Sequence, residues 1–498
     1  MRKVIAPQIK LGEIDISEIE FDFQSRDEIP KLLIGLQHIY TNKQLFKKVS
    51  DILQKLIPKH ISTDNGCPGM DLWKILVLGT VRLVCNWDYD KLHDIANNHK
   101  TLRQMLGHGI FDDRWYHLQT LKDNLQLFTP DILDEINQLV VTAGLQVLGL
   151  SENDCLHGSC DSFVVETDVH YPTDINMLWD AARKVISLSA RESAVSGLAG
   201  WRQHEYLLRK IKRQYRLIQK LKRSTSKDDA KKAKREQEII EAHQAYIDFV
   251  VPYIDRAKMT LIDLQTHQES NTKRIQDIQA YIQDAELLIS QIRRRVTQGE
   301  HIDHDEKIFS IFERHTEWIS KGKAGVPQEL GLMVCILKEQ HGFILHHHVM
   351  ENEKDVDVAV PVTKAAQQKF PSLKSCSYDQ GFYSPANKKE LAKLLDNLIL
   401  PKKGKLSAAD KAIECSEAFV QARYKHSAVE SSINALENHG LDRCLDHGID
   451  GFKRYVGLAV LARNIQILGH ILQQQRLSKF KRHREVKVNK ELSNINLN

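Results

Sequence analysis

The chain has 498 residues, of which 42% are hydrophobic and 27% charged, with a formal net charge of +5. This composition is ordinary for a soluble globular protein, and the length suits roughly two to four domains. The eight cysteines form no CxxC pair, which argues against a zinc ribbon or a disulfide scaffold, and neither a signal peptide nor an uncharged membrane-spanning run is visible.

The first 150 residues divide into an arm and a helical region. Residues 1–28 are acidic and patchily apolar, and we expect an N-terminal arm that is either extended or folded as a small hairpin. Residues 29–150 carry apolar residues at helical spacing, which predicts an all-α domain. Within it, Asp88 to Gly107 has the pattern of two short helices separated by Asn97-Asn98-His99. This pattern suits a DNA-binding helix-turn-helix, and an ordinary helical hairpin has the same pattern.

The stretch from Ser159 to Asp174 predicts a strand that carries an acid into a site. Phe163, Val165 and Val169 recur at even spacing, and Pro172 ends the strand because proline cannot donate a ladder hydrogen bond. We expect Asp174 to cap the helical segment that follows. Asp161 is the candidate first ligand of a metal-dependent nuclease-like centre, and a surface aspartate on a buried strand is the alternative.

Residues 174–299 form a second helical block with a strongly basic part. Residues 202–235 contain fourteen Lys or Arg and three Asp or Glu. A solvated coiled-coil face usually carries both signs of charge, so this excess favours contact with DNA phosphates. The candidate DNA-binding residues in this part are Lys210, Lys212, Arg213, Arg216, Lys220, Lys222 and Arg223.

The same block contains a heptad seam. Apolar residues from Ile275 to Val296 step alternately by three and four positions, which is typical of a coiled coil. The seam suits either a self-packed antiparallel hairpin, which we favour, or a dimer. Pro252 is expected to kink or break the helix that contains it.

Strand character returns after Gly299. The runs Gly331–Leu337 and Gly342–Met350 predict a hairpin, and Leu373–Tyr378 predicts a strand that leads directly into Asp379. A helix over 387–398, a short strand over 398–400 and a helical region from about 418 to 475 follow. The loop Pro401–Lys405 adds Lys402, Lys403 and Lys405 as candidate DNA contacts, and residues 476–498 form a basic tail that we expect to be loose or to face nucleic acid.

Three acids occupy informative places in these elements. Asp161 lies on the first strand, Asp379 lies at the end of a later strand, and Glu430 lies on a helix. Sites in open sheets gather at strand ends, and a neighbouring helix can supply a third group. Three converging carboxylates need a cation between them, and hard oxygen ligands select Mg²⁺ or Mn²⁺. Two such ions would support an in-line phosphoryl transfer.

These motifs resemble those of a known family. Cys160-Asp161-Ser162 with Tyr171-Pro-Thr-Asp174, Tyr378-Asp379-Gln-Gly-Phe-Tyr-Ser384, and His426-Ser-Ala-Val-Glu430 with His439-Gly-Leu-Asp-Arg443 are similar to bacterial DDE-type insertion-sequence transposases, closest to the ISNCY group. The resemblance runs from about Asp71 to Leu472. It implies an α/β fold with an RNase H-like mixed sheet, divided between residues 151–173 and 300–475 and interrupted by the helical insertion 174–299.

The resemblance also implies a function. Asp161, Asp379 and Glu430 would be the catalytic carboxylates and the ligands of two Mg²⁺ or Mn²⁺ ions. The protein would act as a homodimer on double-stranded DNA in the bacterial cytoplasm, cleaving at the terminal inverted repeats of an element and joining the ends to target DNA. A non-catalytic DNA-binding, coiled-coil structural or regulatory protein is the alternative, and a nuclease that cuts without joining is another.

Some competing residues stay open at this point. Asp168 and Asp174 compete with Asp161, although Asp168 would face the other side of a regular strand. Glu437 competes with Glu430, because seven residues place both on nearly the same helix face. Related transposases often have a basic residue at the later position, so Lys425 or Arg443 would hold the DNA phosphate instead.

Overall fold

The structure is a computed structural model that describes residues 2–5, 12–57, 69–109, 111–151, 153–223, 228–266, 272–320 and 328–495, with side chains to residue 479. It is a mixed α/β protein that divides into two compact units. Unit 1 comprises residues 1–168 and 317–498, and unit 2 comprises Val169–Thr316. The predicted insertion, 174–299, therefore falls inside unit 2, which extends further at both ends.

Unit 1 begins with helices that share one apolar core. Seven helices precede the first strand in the described residues: Glu28–Thr41 (α1), Lys43–Gln54 (α2), Leu72–Val84 (α3), Tyr89–Asn98 (α4), Lys100–Met105 (α5), Leu118–Leu125 (α6) and Pro130–Val147 (α7). The predicted helix-turn-helix corresponds to α4 and α5, with His99 capping the second. In the arm, Ile16, Ile19 and Phe21 are buried, so this part is packed against the helices.

A mixed sheet forms the centre of unit 1. Its strands are Leu156–Thr167 (β1), Glu317–Ser320 (β2), Gln328–Glu339 (β3), Ile344–Val349 (β4), Leu373–Tyr378 (β5), Asn397–Ile399 (β6) and Arg443–Cys444 (β7). β1 is central, antiparallel to β3 on one side and parallel to β5 and β7 on the other. β3 also pairs antiparallel with β2 and β4, and β6 extends the sheet parallel to β5. The predicted hairpin is therefore β3–β4, but β3 continues past the apolar run to Glu339.

Unit 2 is helical and has its own apolar core. Its long helices are Asp174–Val195 (α8), His204–Arg223 (α9), Asp229–Thr266 (α10) and Thr272–Ile292 (α11). The seam residues Ile278, Ile282, Ala285, Ile289 and Ile292 are buried within this core. The seam therefore packs inside the chain, as in the hairpin alternative. α10 runs through Pro252 as one helix, so proline does not end it there.

Helices of the second half of unit 1 cover the sheet. They are Asp355–Lys369 (α12), Pro385–Leu394 (α13), Ala408–Glu414 (α14), Glu417–His426 (α15), Ala428–Leu436 (α16) and Gly448–Ile495 (α17). α17 is apolar and long enough to cross a membrane, but 72% of its most apolar window is buried inside the protein, as in a core helix. Its buried Asn464 donates through Nδ2 to Asn137 Oδ1 (2.7 Å) and to the carbonyl oxygen of Ile344 (2.9 Å).

Four local predictions are wrong. The first strand ends at Thr167, five residues before Pro172, so proline does not end it and Val169 lies outside it. Thr173, not Asp174, caps α8, because its hydroxyl accepts a hydrogen bond from the Asn176 N–H, and Asp174 is the first helical residue. The helical region predicted over 418–475 is broken, because Gly440 adopts a φ of 97° and turns the chain before β7. The tail continues α17 to Ile495, so a loose tail is wrong, whereas a tail that faces nucleic acid stays a prediction; its side chains beyond Lys479 lie outside the described residues.

Two glycines allow α1 and α17 to cross closely. A Cβ on Gly469 would overlap the carbonyl oxygen of Lys31, and one on Gly35 would overlap that of Ile465. Gly469→Ala should therefore lower the free energy of unfolding by about 1–3 kcal/mol, because backbone must move to admit the methyl group. Urea denaturation would measure the change.

The matched control is Gly457→Ala in the same helix, where an added Cβ meets only side-chain atoms at 3.4 Å or more. The control should be neutral or slightly stabilising, because alanine has the higher helix propensity. Equal effects of the two substitutions would contradict the close crossing.

Candidate active site

The register of two parallel strands places the first two predicted acids side by side. Cys160 of β1 lies opposite Tyr378 of β5, and the next residue on each strand is an aspartate, Asp161 and Asp379. Equivalent positions on paired strands face the same side of a sheet. β5 ends at Tyr378 while β1 continues to Thr167, so Asp161 lies where its neighbouring strand stops. Both carboxylates therefore leave the sheet at the same level.

Glu430 is contributed by a helix beside this strand end. It lies in the first turn of α16 and is exposed, and α16 follows α15 after Ser427. The electrostatic influence of Glu430 extends to Asp161, whose pKa it raises. The structure thus brings together Asp161, Asp379 and Glu430, which are far apart in the sequence.

Asp161 is the group most affected by this arrangement. Burial raises its pKa to about 6, and the negative charges of Asp379, Asp355 and Glu430 add to the effect. The Ser162 N–H opposes the shift by donating to Asp161 Oδ1 at 2.8 Å. A half-buried carboxylate among like charges favours its protonated form unless a cation compensates.

A fourth acid, Asp355, lies beside these groups and was not predicted from the sequence. It is the first residue of α12, and its Oδ1 accepts a hydrogen bond of 2.6 Å from the Ser162 hydroxyl. Burial raises its pKa, the Ser162 hydrogen bond lowers it, Asp379 raises it and Lys403 lowers it. A Cβ on Gly381 would lie 2.8 Å from Asp355 Oδ2, so the turn after Asp379 approaches this side chain closely. An acid in a first helical turn is commonplace, and the sequence around Asp355 contains no further signal.

The competing acids lie elsewhere. Asp168 follows the end of β1, with Oδ1 3.8 Å from Arg443 Nη1. Asp174 pairs with Arg295 inside unit 2, at 2.5 Å. Glu437 begins the irregular turn that follows α16. Arg443 itself is paired with Glu166, at 3.1 Å. Asp168, Asp174 and Glu437 are not among the main causes of the raised pKa of Asp161.

The candidate DNA-binding residues occupy two surfaces. In unit 2, the seven candidate residues on α9 are all exposed: Lys210, Lys212, Arg213, Arg216, Lys220, Lys222 and Arg223. In unit 1, Lys403, Lys405 and Lys425 are exposed, and Lys403 acts electrostatically on Asp355. Lys402 forms a salt bridge, because its Nζ lies 2.6 Å from Asp410 Oδ2.

The donor set suits a hard divalent cation, although it is not gathered around one point. In the part of the chain that the structure describes, no group of three or more His, Cys, Asp or Glu side chains is arranged to hold a metal ion. The chemistry of the cluster is nevertheless all carboxylate, which Mg²⁺ and Mn²⁺ prefer. Side-chain rotation toward a common cation would relieve the repulsion that raises the pKa of Asp161.

Comparisons of the chain with protein-family models, with curated proteins and with solved structures found no match. Function is therefore inferred below from the residues and geometry of the site.

The raised pKa of Asp161 predicts a stability effect with a definite sign. The folded protein binds this proton more tightly than the unfolded chain, whose ordinary pKa is 3.8. Stability should therefore fall as pH rises from about 4 to 6, and the penalty persists above pH 6. Asp161→Asn should raise the free energy of unfolding at pH 7.5 by about 1–3 kcal/mol, measured by urea denaturation in EDTA.

The control for this measurement is Asp396→Asn, which removes an exposed acid between α13 and β6. Its effect should stay within about 0.5 kcal/mol. A destabilised Asp161→Asn protein would show that Asp161 is not under electrostatic strain.

Proposed function

We propose that this protein is a DDE-type DNA transposase with an RNase H-like core. It would hydrolyse phosphodiester bonds at the ends of a mobile element and join the 3′-hydroxyls to target DNA. The observation that carries the proposal is the meeting of Asp161, Asp379 and Glu430 at one strand end, electrostatically coupled through Asp161.

The sheet supports this proposal. β1 is central, antiparallel to one neighbour and parallel to the other, and it carries the first acid. A mixed sheet with this arrangement is compatible with an RNase H-like core. The second acid follows the adjacent parallel strand and the third comes from a covering helix, which matches the order implied by the resemblance of the motifs.

The proposed chemistry assigns distinct tasks to residues of the chain. Asp161, Asp379 and Glu430 would hold Mg²⁺ or Mn²⁺ through their carboxylate oxygens. Two such ions, when bound, supply charge stabilisation for the attacking and leaving oxygens of a phosphoryl transfer. Burial of Asp161 keeps water from screening its charge, and Ser162 orients it through the backbone N–H. Asp355 adds negative charge at the same strand end, beside Lys403.

DNA is the proposed partner, contacted through exposed basic residues. The α9 residues would bind phosphates without regard to sequence, and Lys403, Lys405 and Lys425 would bind phosphates near the carboxylates. A homodimer that pairs two element ends would have to form without the heptad seam, because the seam is buried within unit 2. The site of action would be the nucleoid, in the bacterial cytoplasm.

Substitution of the acids tests the catalytic assignment. Asp161→Ala, Asp379→Ala and Glu430→Gln should each reduce Mg²⁺-dependent cleavage of element-end DNA by on the order of 1,000-fold or more, because each removes a proposed ligand. Asp168→Ala and Glu437→Gln are matched controls and should stay within about threefold. The DNA substrate would be taken from the inverted repeats that flank the reading frame.

The outcomes separate the proposal from its rivals. Cleavage by Asp161→Ala or Asp379→Ala would overturn the assignment of the acids. Specific DNA binding by a wild-type protein that never cleaves would favour a structural or regulatory DNA-binding protein. Cleavage without joining, in an assay with pre-cut ends and target DNA, would indicate a nuclease.

Charge removal on α9 tests the DNA surface. The triple variant Lys210→Gln, Arg213→Gln, Lys220→Gln should bind DNA more weakly, and the slope of log K against log salt should decrease by up to about 3, roughly 0.9 per lost phosphate contact. Fluorescence anisotropy at several salt concentrations would measure both quantities.

The matched control removes three lysines that already lie near acids in the same unit. Lys231, Lys232 and Lys258 lie within 3.7, 3.2 and 3.0 Å of Asp228, Asp229 and Asp255. Their triple replacement by glutamine should change the slope much less. An equal effect of the two variants would indicate attraction by net charge rather than contact along α9.

A further inference from the structure

A row of polar residues crosses three strands directly before the paired aspartates. Lys338 of β3 lies opposite Ser159 of β1, and Ser159 lies opposite Ser377 of β5. Ser159 and Ser377 each precede an aspartate by two positions, so the row faces the same side of the sheet as Asp161 and Asp379. We call Lys338, Ser159 and Ser377 the polar row.

The polar row holds the segment that carries Glu430. Lys338 Nζ donates to the carbonyl oxygen of Ala428 at 2.6 Å and to Ser432 Oγ at 3.1 Å. These two residues lie two positions before and two positions after Glu430. Lys338 therefore hydrogen-bonds to α16 at a residue before Glu430 and at a residue after it in the sequence.

A second attachment lies at the end of α15. Ser377 Oγ is 2.9 Å from His426 Nδ1 and 3.0 Å from Ser159 Oγ. His426 is the last residue of α15, four positions before Glu430. Hydrogen bonds from two strands thus fix the chain over 426–432.

Apolar packing contributes little to this attachment. α15 buries none of its residues, and α16 buries only Val429 and Leu436. Hydrophobic contact is also non-directional, whereas hydrogen bonds require a defined geometry. A slip of α16 by one residue would rotate Glu430 by about 100°, and a slip of one turn would move it by about 5.4 Å. The polar row supplies directional contacts that oppose such slips.

The burial of the Lys338 ammonium group is unfavourable in itself, which indicates that the lysine has a specific role. Lys338 is only 7% exposed, and burying an ammonium group is unfavourable unless it is well hydrogen-bonded. The three residues before it on the strand, Cys335, Ile336 and Leu337, are fully buried and apolar or weakly polar, and Glu339 after it is a buried acid. An apolar residue at position 338 would pack at lower cost but would leave α16 without a directional contact.

We propose that Lys338 is a positioning residue that fixes the register of α16 on the sheet and so sets the place of Glu430, with Ser377 and His426 as a second attachment. The effect on catalysis rests on the proposed function, whereas the docking of α16 does not.

Hydrogen exchange of the full-length protein tests the docking. Lys338→Met keeps the apolar stem and removes the donors. Backbone amides over 428–436 should exchange about tenfold faster than in the wild type, because a hydrogen-bonded charged group no longer holds the helix, and amides of β1 and β5 should stay protected. The matched control is Lys374→Met, the same change on β5, where the lysine is exposed. Unchanged exchange over 428–436 would overturn the inference, whatever the DNA assays show.

Cleavage kinetics test the consequence. Lys338→Met should reduce kcat by on the order of 100-fold, because a misplacement of about 1 Å can cost that much, while KM for end DNA changes less than about threefold. A change in KM alone would overturn the positioning role. Absence of cleavage by the wild type would overturn the proposed function, and the exchange measurement would then decide the docking by itself.

A second variant covers the case in which Lys338→Met does not fold. Ser377→Ala removes the hydroxyl between His426 and Ser159 without leaving a buried charge unpaired. It should loosen 426–432 in the same exchange measurement, by a smaller factor than Lys338→Met. Full protection in Ser377→Ala would overturn the role of the second attachment.

Discussion

The pairing of β1 with β5 in one particular register is the constraint on which the site depends. It places Asp161 and Asp379 on the same face and at the same level. A slip of one residue would turn one of the two carboxylates to the opposite face of the sheet, because side chains alternate along a strand. Glu430 and Asp355 come from two helices, α16 and α12, that bring their acids toward this pair. The strand register thus sets the places of two of the four acids, and hydrogen bonds from Lys338 and Ser377 hold the segment that carries Glu430.

Holding like charges together lowers the stability of the folded protein, and burial of the apolar core of unit 1 offsets this effect. This apolar core is formed by buried side chains of the N-terminal helices, the sheet and α17. Ser159, Ser377 and Lys338 add polar groups to the sheet one step before the acids. The clustered carboxylates at this strand end lower stability locally, while the structure around them is well packed. This pattern is expected of a functional site rather than of a structural one.

The elements with strong local signals were predictable from the sequence. The strand Leu373–Tyr378 has the predicted bounds, because it leads directly into the turn signal Asp379-Gln-Gly, and the predicted β3–β4 hairpin is present. Asp355 was not predictable, because a first-turn aspartate has an ordinary local explanation and its neighbours come from β1 and the turn after β5. Lys338 looked like the charged boundary of a strand, and only the position of α16 explains its burial. The missed residues depend on tertiary contacts, which periodicity does not encode.

The insertion of unit 2 after β1 has a consequence for how the protein is made. β1 leaves the ribosome before unit 2, and both of its main neighbours, β3 and β5, follow unit 2 in the chain. At about 5–20 residues per second, synthesis of the roughly 150 intervening residues takes on the order of 10–30 s. During that interval the β1 segment, which contains Phe163, Val164 and Val165, has no strand to pair with, while the contiguous helices of unit 2 can already fold from local contacts. Nascent chains therefore pass through a stage in which the insertion is formed and the strand bearing Asp161 is open to chaperones or to pairing with another chain.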